Sequence, residues 1–253
     1  MVEAGGGPVA EARGLTVHVD TGRWSETVIE SVDLVVPAGR VTALLGESGC
    51  GKSMLAAALT GHLPAVASTR GDVLVNGVPV TEEREWRRLR VSTVGYLPQS
   101  GVTAFHSEAD VASQLRKTHE LRGVLSVEEA CASALYPDDV RHLLPGQHSS
   151  GQVQRAALAA ALIPAPTLLV VDEPTASLDT ATARAVWATL RRCADAGTAV
   201  LAISHDVNHL VDLDIADEMV FVREGRVTAA GTPDEMRERD DPYLRGFFNP
   251  LGL

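Results

Sequence analysis

Short apolar runs bounded by glycine and proline recur along the chain and predict buried strands. Val41–Leu45, residues 168–171 and Ala199–Ile203 are continuous runs of this kind, typical of strands buried on both faces. Residues 53–63 and 180–196 carry apolar side chains at helical spacing and end before a proline or a glycine. Because strands alternate with helices in this way, the pattern predicts a parallel sheet with helices on both faces.

Other short runs follow a different pattern. Residues 15–19 and 28–36 are β-type runs with no helical stretch between them, and they predict an N-terminal antiparallel β region. Asn76-Gly77 separates two further β-type runs, and residues 223–225 do the same near the end of the chain. Both are turn signals, so each predicts a hairpin.

The middle of the chain is predicted to be helical. From about residue 100 to 147 strand signals become rare and helix formers dominate, mainly over residues 109–121 and 127–135. This predicts a helical insertion in a chain that otherwise alternates strand and helix. Residues 1–12 show neither pattern and are expected to form a loose leader.

Composition limits the kind of partner. Acidic residues outnumber basic ones by 33 to 22, and the formal charge of −11 disfavours a nucleic-acid partner. The three cysteines stand apart with no C-x-x-C pair, so neither a disulfide framework nor a zinc site is predicted. No secretory signal is visible, and the longest apolar stretch is broken by prolines. We therefore expect a cytosolic protein, free to dock on a membrane-embedded partner.

One motif carries specific chemistry. The segment GESGCGKS matches G-x-x-x-x-G-K-[ST] at every fixed position and lies between a predicted strand and a predicted helix. Glycines let successive backbone N–H groups turn toward a phosphate, and the helix adds its positive N-terminus. Lys52 can reach the β- and γ-phosphates, and the Ser53 hydroxyl can join a Mg²⁺ shell. The predicted nucleotide site consists of Gly46, Glu47, Ser48, Gly49, Cys50, Gly51, Lys52 and Ser53.

Two carboxylates follow a later buried strand. Asp172 and Glu173 end the apolar run at 168–171, and consecutive strand residues point to different sides, so they can serve different tasks. Alone, such a pair is typical of an ordinary loop start. Beside a phosphate-binding loop, it predicts that Asp172 holds Mg²⁺ and that Glu173 activates the attacking water as a general base.

These motifs, with the helical insertion between them, resemble the ATP-binding subunit of ATP-binding cassette (ABC) transporters. Four smaller signals have the order and spacing of that family over about residues 13–235. They are a Q-loop glutamine, a signature segment, a D-loop aspartate and a switch histidine, matched by Gln99, Ser149-Ser-Gly-Gln152, Asp179 and His205. Each signal alone is weak, and the combination carries the resemblance.

The resemblance implies an α/β fold with a P-loop NTPase (RecA-like) parallel sheet core. An N-terminal antiparallel β region and an inserted α-helical subdomain complete it. The expected division is one ABC ATP-binding domain over residues 13–253. Its core covers about 13–98 and 155–235, its helical subdomain about 100–154, and its C-terminal tail 236–253.

The resemblance also implies how ATP and Mg²⁺ would be handled. His205 would contact the γ-phosphate, and the metal set would be Ser53, Gln99 and Asp172, with Gln99 linking it to a permease. A second copy would close the nucleotide with its signature segment and D-loop. From these the expected contacts are Ser149, Gly151, Gln152 and Asp179.

The implied partners are transmembrane permease subunits, a second identical or paralogous ATP-binding subunit, and an extracytoplasmic solute-binding protein acting through the permease. No nucleic acid is expected. The implied location is the cytoplasmic face of the cell membrane, as a peripheral subunit.

Some positions depart from the family pattern. His148 replaces the usual leading leucine of the signature, and Ser150 replaces a glycine. We expect His148 to cap or pack near the helix start, with a chemical role as the less favoured alternative. Val19 occupies the place of the aromatic ring that stacks on adenine, and Trp24 either substitutes for that ring or only packs.

Two C-terminal segments resemble the peptide/nickel importer branch. They are Gly231-Thr-Pro-Asp-Glu235 and Asp241-Pro-Tyr-Leu-Arg245. The sequence ends at Leu253 without a longer cysteine-bearing tail, which favours nickel or metal chelates over oligopeptides. The alternatives are an exporter ATPase subunit and a poorly hydrolysing regulatory cassette paired with a more active paralogue. A soluble ABC ATPase acting on DNA or ribosomes is a more distant alternative.

Overall fold

The computed structural model of the chain describes residues 7–248. Two short 3-10 helices, Gly101–Ala104 and Pro145–Gln147, add to the strands and α-helices. In chain order the strands and α-helices are β1 (Pro8–Asp20), β2 (Ser25–Pro37), β3 (Val41–Leu45), α1 (Lys52–Thr60), β4 (Ala67–Val75), β5 (Val78–Pro79), α2 (Glu83–Ser92), β6 (Val94–Leu97), α3 (Val111–Arg122), α4 (Val127–Ser133), α5 (Ser150–Leu162), β7 (Leu168–Asp172), α6 (Thr180–Asp195), β8 (Ala199–Ile203), α7 (Val207–Asp212), β9 (Glu218–Arg223), β10 (Arg226–Gly231), α8 (Pro233–Glu238) and α9 (Pro242–Phe248).

The larger sheet has six strands in the order β10-β9-β3-β8-β7-β6, and all neighbours except β10 and β9 run parallel. Every residue of β3, β7 and β8 is buried. Alternate residues of β7 belong to different apolar clusters: Leu169 packs into the cluster of α3 to α6, and Leu168 into that of α1 and the smaller sheet. The predicted parallel sheet covered on both faces is confirmed.

The smaller sheet is antiparallel, with strand order β2-β1-β4-β5. Asn76 and Gly77 connect β4 to β5 with φ angles of 51° and 75°. Two positive φ angles in a two-residue loop match the right-handed twist of the flanking strands, as the Asn-Gly signal predicts. The N-terminal antiparallel region is thereby confirmed.

The expected leader over residues 1–12 is wrong for residues 8–12, which form the start of β1. Ala10 and Ala12 are buried, and Ala10 pairs with Val36 on one side and Val75 on the other. The signal was missed because small alanines give a weak β pattern, while both pairing partners are far away in sequence. Residues 1–6 of the expected leader, and the end of the expected tail at residues 249–253, lie outside the described residues.

The helical insertion is present as α3 and α4, followed by α5. Asp110 caps α3 by accepting a hydrogen bond from the Ser113 N–H, and Ser126 forms a capping box with Glu129 at the start of α4. Their buried residues join the same apolar cluster as one face of the parallel sheet. The division of the chain into the expected core, subdomain and tail ranges stays a prediction.

Candidate functional site

The loop between β3 and α1 is shaped by glycine. Gly46 has a φ of 145°, and a Cβ placed on it would lie 2.1 Å from the carbonyl oxygen of Val222. Gly51 has a φ of 103° and precedes α1, which begins without a side-chain cap. The first N–H groups of the helix are therefore left for an anion, as phosphate binding requires.

Lys52 points back into this loop. The side chain is buried, and Nζ donates hydrogen bonds to the carbonyl oxygens of Gly46 (2.8 Å) and Glu47 (2.7 Å). It also lies 3.6 Å from Sγ of Cys50, which is itself buried. An ammonium held inside a cradle of backbone groups fits a triphosphate.

Asp172 ends β7 and is almost fully buried, with 2% of its surface exposed. Burial raises the pKa of its carboxyl group, and the neighbouring Ser53 hydroxyl and Lys52 ammonium act in the opposite direction. Carboxylate and hydroxyl oxygens are the ligands that Mg²⁺ prefers, and a divalent cation here would favour the ionised carboxylate. Ser53 and Asp172 therefore fit a magnesium ion held jointly with phosphate oxygens.

Glu173 and His205 form a hydrogen-bonded pair across two strand ends. Nδ1 of His205 lies 2.9 Å from Oε1 of Glu173, and the Glu173 N–H donates to the carbonyl of Ile203 (3.0 Å). Glu173 has a φ of 49°, which is unfavourable for a residue with a side chain. Such strain concentrates at functional sites, where the neighbouring structure holds it in place.

The loop that carries Gln99 is held by a residue that sequence reasoning missed. Gln99 is exposed just after β6. Gln154 on α5 is buried, accepts a hydrogen bond from the Gly101 N–H (2.8 Å) and donates one to the Pro98 carbonyl (3.2 Å). Gln154 thus fixes both ends of the Gln99 loop to α5. An amide in an otherwise alanine- and leucine-rich helix was the available signal.

The signature segment forms the start of α5. Ser149 and Gln152 make a capping box, with the Gln152 N–H donating to Ser149 Oγ (3.3 Å) and the Ser149 N–H to Gln152 Oε1 (2.9 Å). A Cβ on Gly151 would lie 2.8 Å from the Ser177 carbonyl oxygen, so the segment packs closely against the loop before α6. Ser150 is exposed, and its side chain meets no such restriction.

His148 packs beside the signature segment, as expected. Its Nε2 lies 2.7 Å from the Tyr136 hydroxyl, and its Nδ1 lies 3.0 Å from the Leu144 carbonyl oxygen. With the proton on Nδ1, the ring donates to that carbonyl and accepts from the tyrosine. Both ring nitrogens are thus engaged within the protein.

Asp179 caps α6. Its carboxylate accepts hydrogen bonds from the N–H groups of Ala181 and Thr182, both at 3.0 Å, and from the Thr182 hydroxyl at 2.6 Å. The hydroxyl bond holds the pKa of Asp179 below its usual range. These contacts give Asp179 a structural role, and its contact with nucleotide stays a prediction.

Val19, at the position where the family has the aromatic ring that stacks on adenine, is the next departure from the family pattern. Val19 is buried in β1, and Trp24, in the turn that follows, is 49% exposed. The Trp24 backbone N–H donates to the Thr21 hydroxyl (3.1 Å), which fixes the turn. The indole is thus on the surface rather than packed in the core.

The predicted residues fall into two groups. The parallel strands β3, β7 and β8 bring the P-loop, Asp172, Glu173 and His205 to one edge of the sheet, and Gln99 follows the next strand. Ser149, Gly151, Gln152 and Asp179 form the second group at the starts of α5 and α6. Within residues 7–248, no side-chain hydrogen bond or ion pair joins the two groups.

A glycine-rich loop between strand and helix, next to an acidic strand end, defines a P-loop NTPase fold. A sequence profile described as "ABC transporter" matches residues 29–176, and the chain belongs to this family. It is 35% identical to the hemin import ATP-binding protein HmuV of Myxococcus xanthus over 243 residues, covering 91% of this chain and 86% of that protein. It is 30% identical to the oligopeptide transport ATP-binding protein OppD of Mycobacterium tuberculosis over 258 residues, which cover 96% of this chain and 42% of that protein.

Solved structures agree with this fold. One is an ATP-binding cassette dimer in a post-hydrolysis state bound to ADP and Pi, with a TM-score of 0.78, 21% identity, and coverage of 88% of this chain and 98% of that chain. Another is an ATP-binding subunit of an ABC transporter, with a TM-score of 0.77, 24% identity, and coverage of 97% and 100%.

Family membership makes the chain an ATP-hydrolysing subunit whose activity is coupled to transport. Subunits of this family bind ATP, generally with Mg²⁺, dimerise and work with transmembrane permeases. No helix within residues 7–248 combines the length and the apolar character that a membrane span requires.

Proposed function

We propose that the chain energises an importer for metal chelates or peptide-type solutes, working as a peripheral subunit at the cytoplasmic face of a membrane. The observation that carries this is its similarity over most of its length to a hemin import protein and an oligopeptide transport protein. Hemin is itself a metal chelate. The C-terminal segments at Gly231–Glu235 and Asp241–Arg245 support the same branch. Nickel as the particular solute stays a prediction.

In this proposal, the sheet edge performs the hydrolysis. Lys52 and the start of α1 would hold the triphosphate. Ser53, Asp172 and Gln99 would hold Mg²⁺, which would supply charge neutralisation at the phosphates. Glu173 accepts a proton from the attacking water. His205 orients that carboxylate through its 2.9 Å hydrogen bond. It would also contact the γ-phosphate. The remaining residues of the P-loop supply backbone N–H groups.

The second group of residues would act on the nucleotide of another copy. Ser149, Gly151 and Gln152 lie at the start of α5, where backbone N–H groups favour an anion. Asp179 lies at the start of α6, which its own carboxylate caps, and its contact with the nucleotide is part of the proposal. The separation of these residues from the P-loop of the same chain supports a site that two subunits share. The second cassette would be either an identical copy of this chain or a paralogue.

A cavity of about 350 Å³ supports a permease contact next to the Gln99 loop. It includes the half-buried Arg122, whose guanidinium donates to the Arg90 carbonyl and has no carboxylate within ion-pair distance among residues 7–248. An acidic side chain of a permease loop would complement that charge. Other lining residues are His62, Arg90, Tyr96, Pro98 and Ala104.

The test is purification of the tagged chain from native membranes, followed by assay of the reconstituted complex in vesicles. We expect a permease to co-purify, and its yield to fall for Arg122→Gln. Vesicle ATPase activity should rise when an extracytoplasmic binding protein loaded with hemin or with a short peptide is added. Solute extrusion in place of uptake would reject the importer and favour the exporter alternative.

A further inference from the structure

The C-terminal helix α9 is fixed to the strand that supports the P-loop. Its start is held by Asp241, whose carboxylate accepts a hydrogen bond from the Tyr243 N–H (2.8 Å). Leu244 is buried in the core, and Phe247 packs edge-on against Phe221 of β9, with ring centroids 5.3 Å apart. The segment Asp241–Arg245, which the hydrolytic mechanism does not use, is therefore an ordered part of the fold.

Tyr243 reaches from α9 to the back of the P-loop. Its hydroxyl donates a hydrogen bond to the Val222 carbonyl oxygen at 3.2 Å. The Arg223 guanidinium carbon lies 5.0 Å from the centroid of the tyrosine ring. Burial raises the pKa of Tyr243, while the Glu47 backbone beside the hydroxyl opposes this. The hydroxyl thus lies between the end of β9 and the first residues of the P-loop.

The Val222 carbonyl is also the group against which the P-loop turns. A Cβ on Gly46 would lie 2.1 Å from its oxygen, which shows how closely the loop backbone approaches it. At the other end of the loop, the Gly225 N–H donates to the Cys50 carbonyl (3.1 Å). The end of the β9–β10 hairpin is therefore the support on which the phosphate-binding backbone lies.

We propose that Tyr243 is a positioning residue for nucleotide binding: its hydroxyl fixes the Val222 carbonyl, and this carbonyl sets the conformation of the P-loop. Tyr243 touches neither the triphosphate nor the attacking water in this role. The inference rests on the proposed ATP site at Gly46–Ser53. It predicts an effect on nucleotide affinity, and little effect on the rate of hydrolysis at saturation.

The test is Tyr243→Phe, which removes the hydroxyl and keeps the ring contacts. We expect the Kd of the full chain for ATP to weaken about 3- to 10-fold, the effect of one ordinary hydrogen bond. In the assembled complex, KM should rise by the same factor and kcat should stay within about twofold. Hydrogen exchange of the amides at residues 46–53 should become faster.

Thr228→Val is the matched control. The Thr228 hydroxyl of β10 donates to the Phe221 carbonyl of β9 at 3.3 Å, next to the Val222 carbonyl that Tyr243 binds. This variant also loses one hydroxyl bond to β9, and its ATP affinity should equal that of the wild type. Three outcomes would overturn the proposal. They are an ATP affinity of Tyr243→Phe equal to that of the wild type, a weakening of ATP affinity in Thr228→Val as large as in Tyr243→Phe, and a loss in Tyr243→Phe that is confined to kcat. Absence of ATP binding by the wild type would instead reject the proposed site itself.

Discussion

At the residue scale, the proposed chemistry is concentrated in the Glu173–His205 pair. Glu173 is held in an unfavourable backbone conformation, with its carboxylate 2.9 Å from the His205 ring and 13% of its side-chain surface exposed. A residue held in this way keeps one orientation when substrate arrives, because the neighbouring strand ends fix its backbone. The same fixation explains why an isosteric change can remove the chemistry without disturbing the fold.

Glu173→Gln tests the general base. The amide keeps the shape of the side chain but cannot accept the water proton, so we expect hydrolysis to fall by about 10²- to 10⁴-fold. ATP binding by the isolated chain should be unchanged, because the P-loop residues are intact. Phosphate release and equilibrium binding of a fluorescent ATP analogue measure the two effects. Full activity in this variant would remove Glu173 from the role of base.

At the element scale, helix starts connect the site to the rest of the fold. The cap that Asp179 makes at the start of α6 predicts how the stability of the fold depends on pH. Its pKa is lowered in the folded chain, so it stabilises the fold fully above the ordinary pKa of aspartate. That stabilisation is lost as pH falls through the lowered value. Asp179→Asn retains a capping side chain without the charge. We expect the melting temperatures of wild type and variant to converge on acidification, and a constant difference would contradict this.

Gln154 links α5 to the Gln99 loop, and its removal should be costly. Gln154→Ala leaves the buried Gly101 N–H and the half-buried Pro98 carbonyl without their partner, which costs about 1–3 kcal/mol of unfolding free energy. Urea denaturation measures this loss. Gln147→Ala is the control, since Gln147 is exposed and accepts from the Leu144 N–H at 2.8 Å. If Gln154→Ala lost no more unfolding free energy than Gln147→Ala, water would have to replace the amide of Gln154.

The contrast between these residues shows what a sequence can predict. The P-loop and the pair Asp172–Glu173 could be predicted as candidate site residues because the roles proposed for them depend on local spacing, which glycine and strand patterns report directly. Gln154 and the start of β1 were missed because their roles depend on partners distant in the chain. Ala10 pairs with Val75, and Gln154 binds a loop that precedes it by about 50 residues. No periodicity records such contacts.

At the scale of the whole molecule, the two groups of site residues are separate within one chain. The P-loop group lies at the carboxyl edge of the parallel sheet, and the signature group lies at the starts of α5 and α6. Under the proposed function, a single chain would hold two half-sites, each incomplete. If the half-sites come from different subunits, defects placed in different half-sites should complement each other when two variants are mixed.

Lys52→Ala and Ser149→Arg make this complementation testable. The first variant loses the ammonium in the P-loop, and the second places a bulky cation at the exposed start of α5. Each homodimer carries the same defect in both composite sites, so each should be inactive alone. A mixed dimer pairs the intact P-loop of one variant with the intact signature of the other and leaves the remaining site doubly defective. We expect ATPase activity to appear on mixing and to approach that of one working site per mixed dimer. Activity of Ser149→Arg alone, or no recovery from two correctly folded variants that form mixed dimers, would contradict a site shared between subunits.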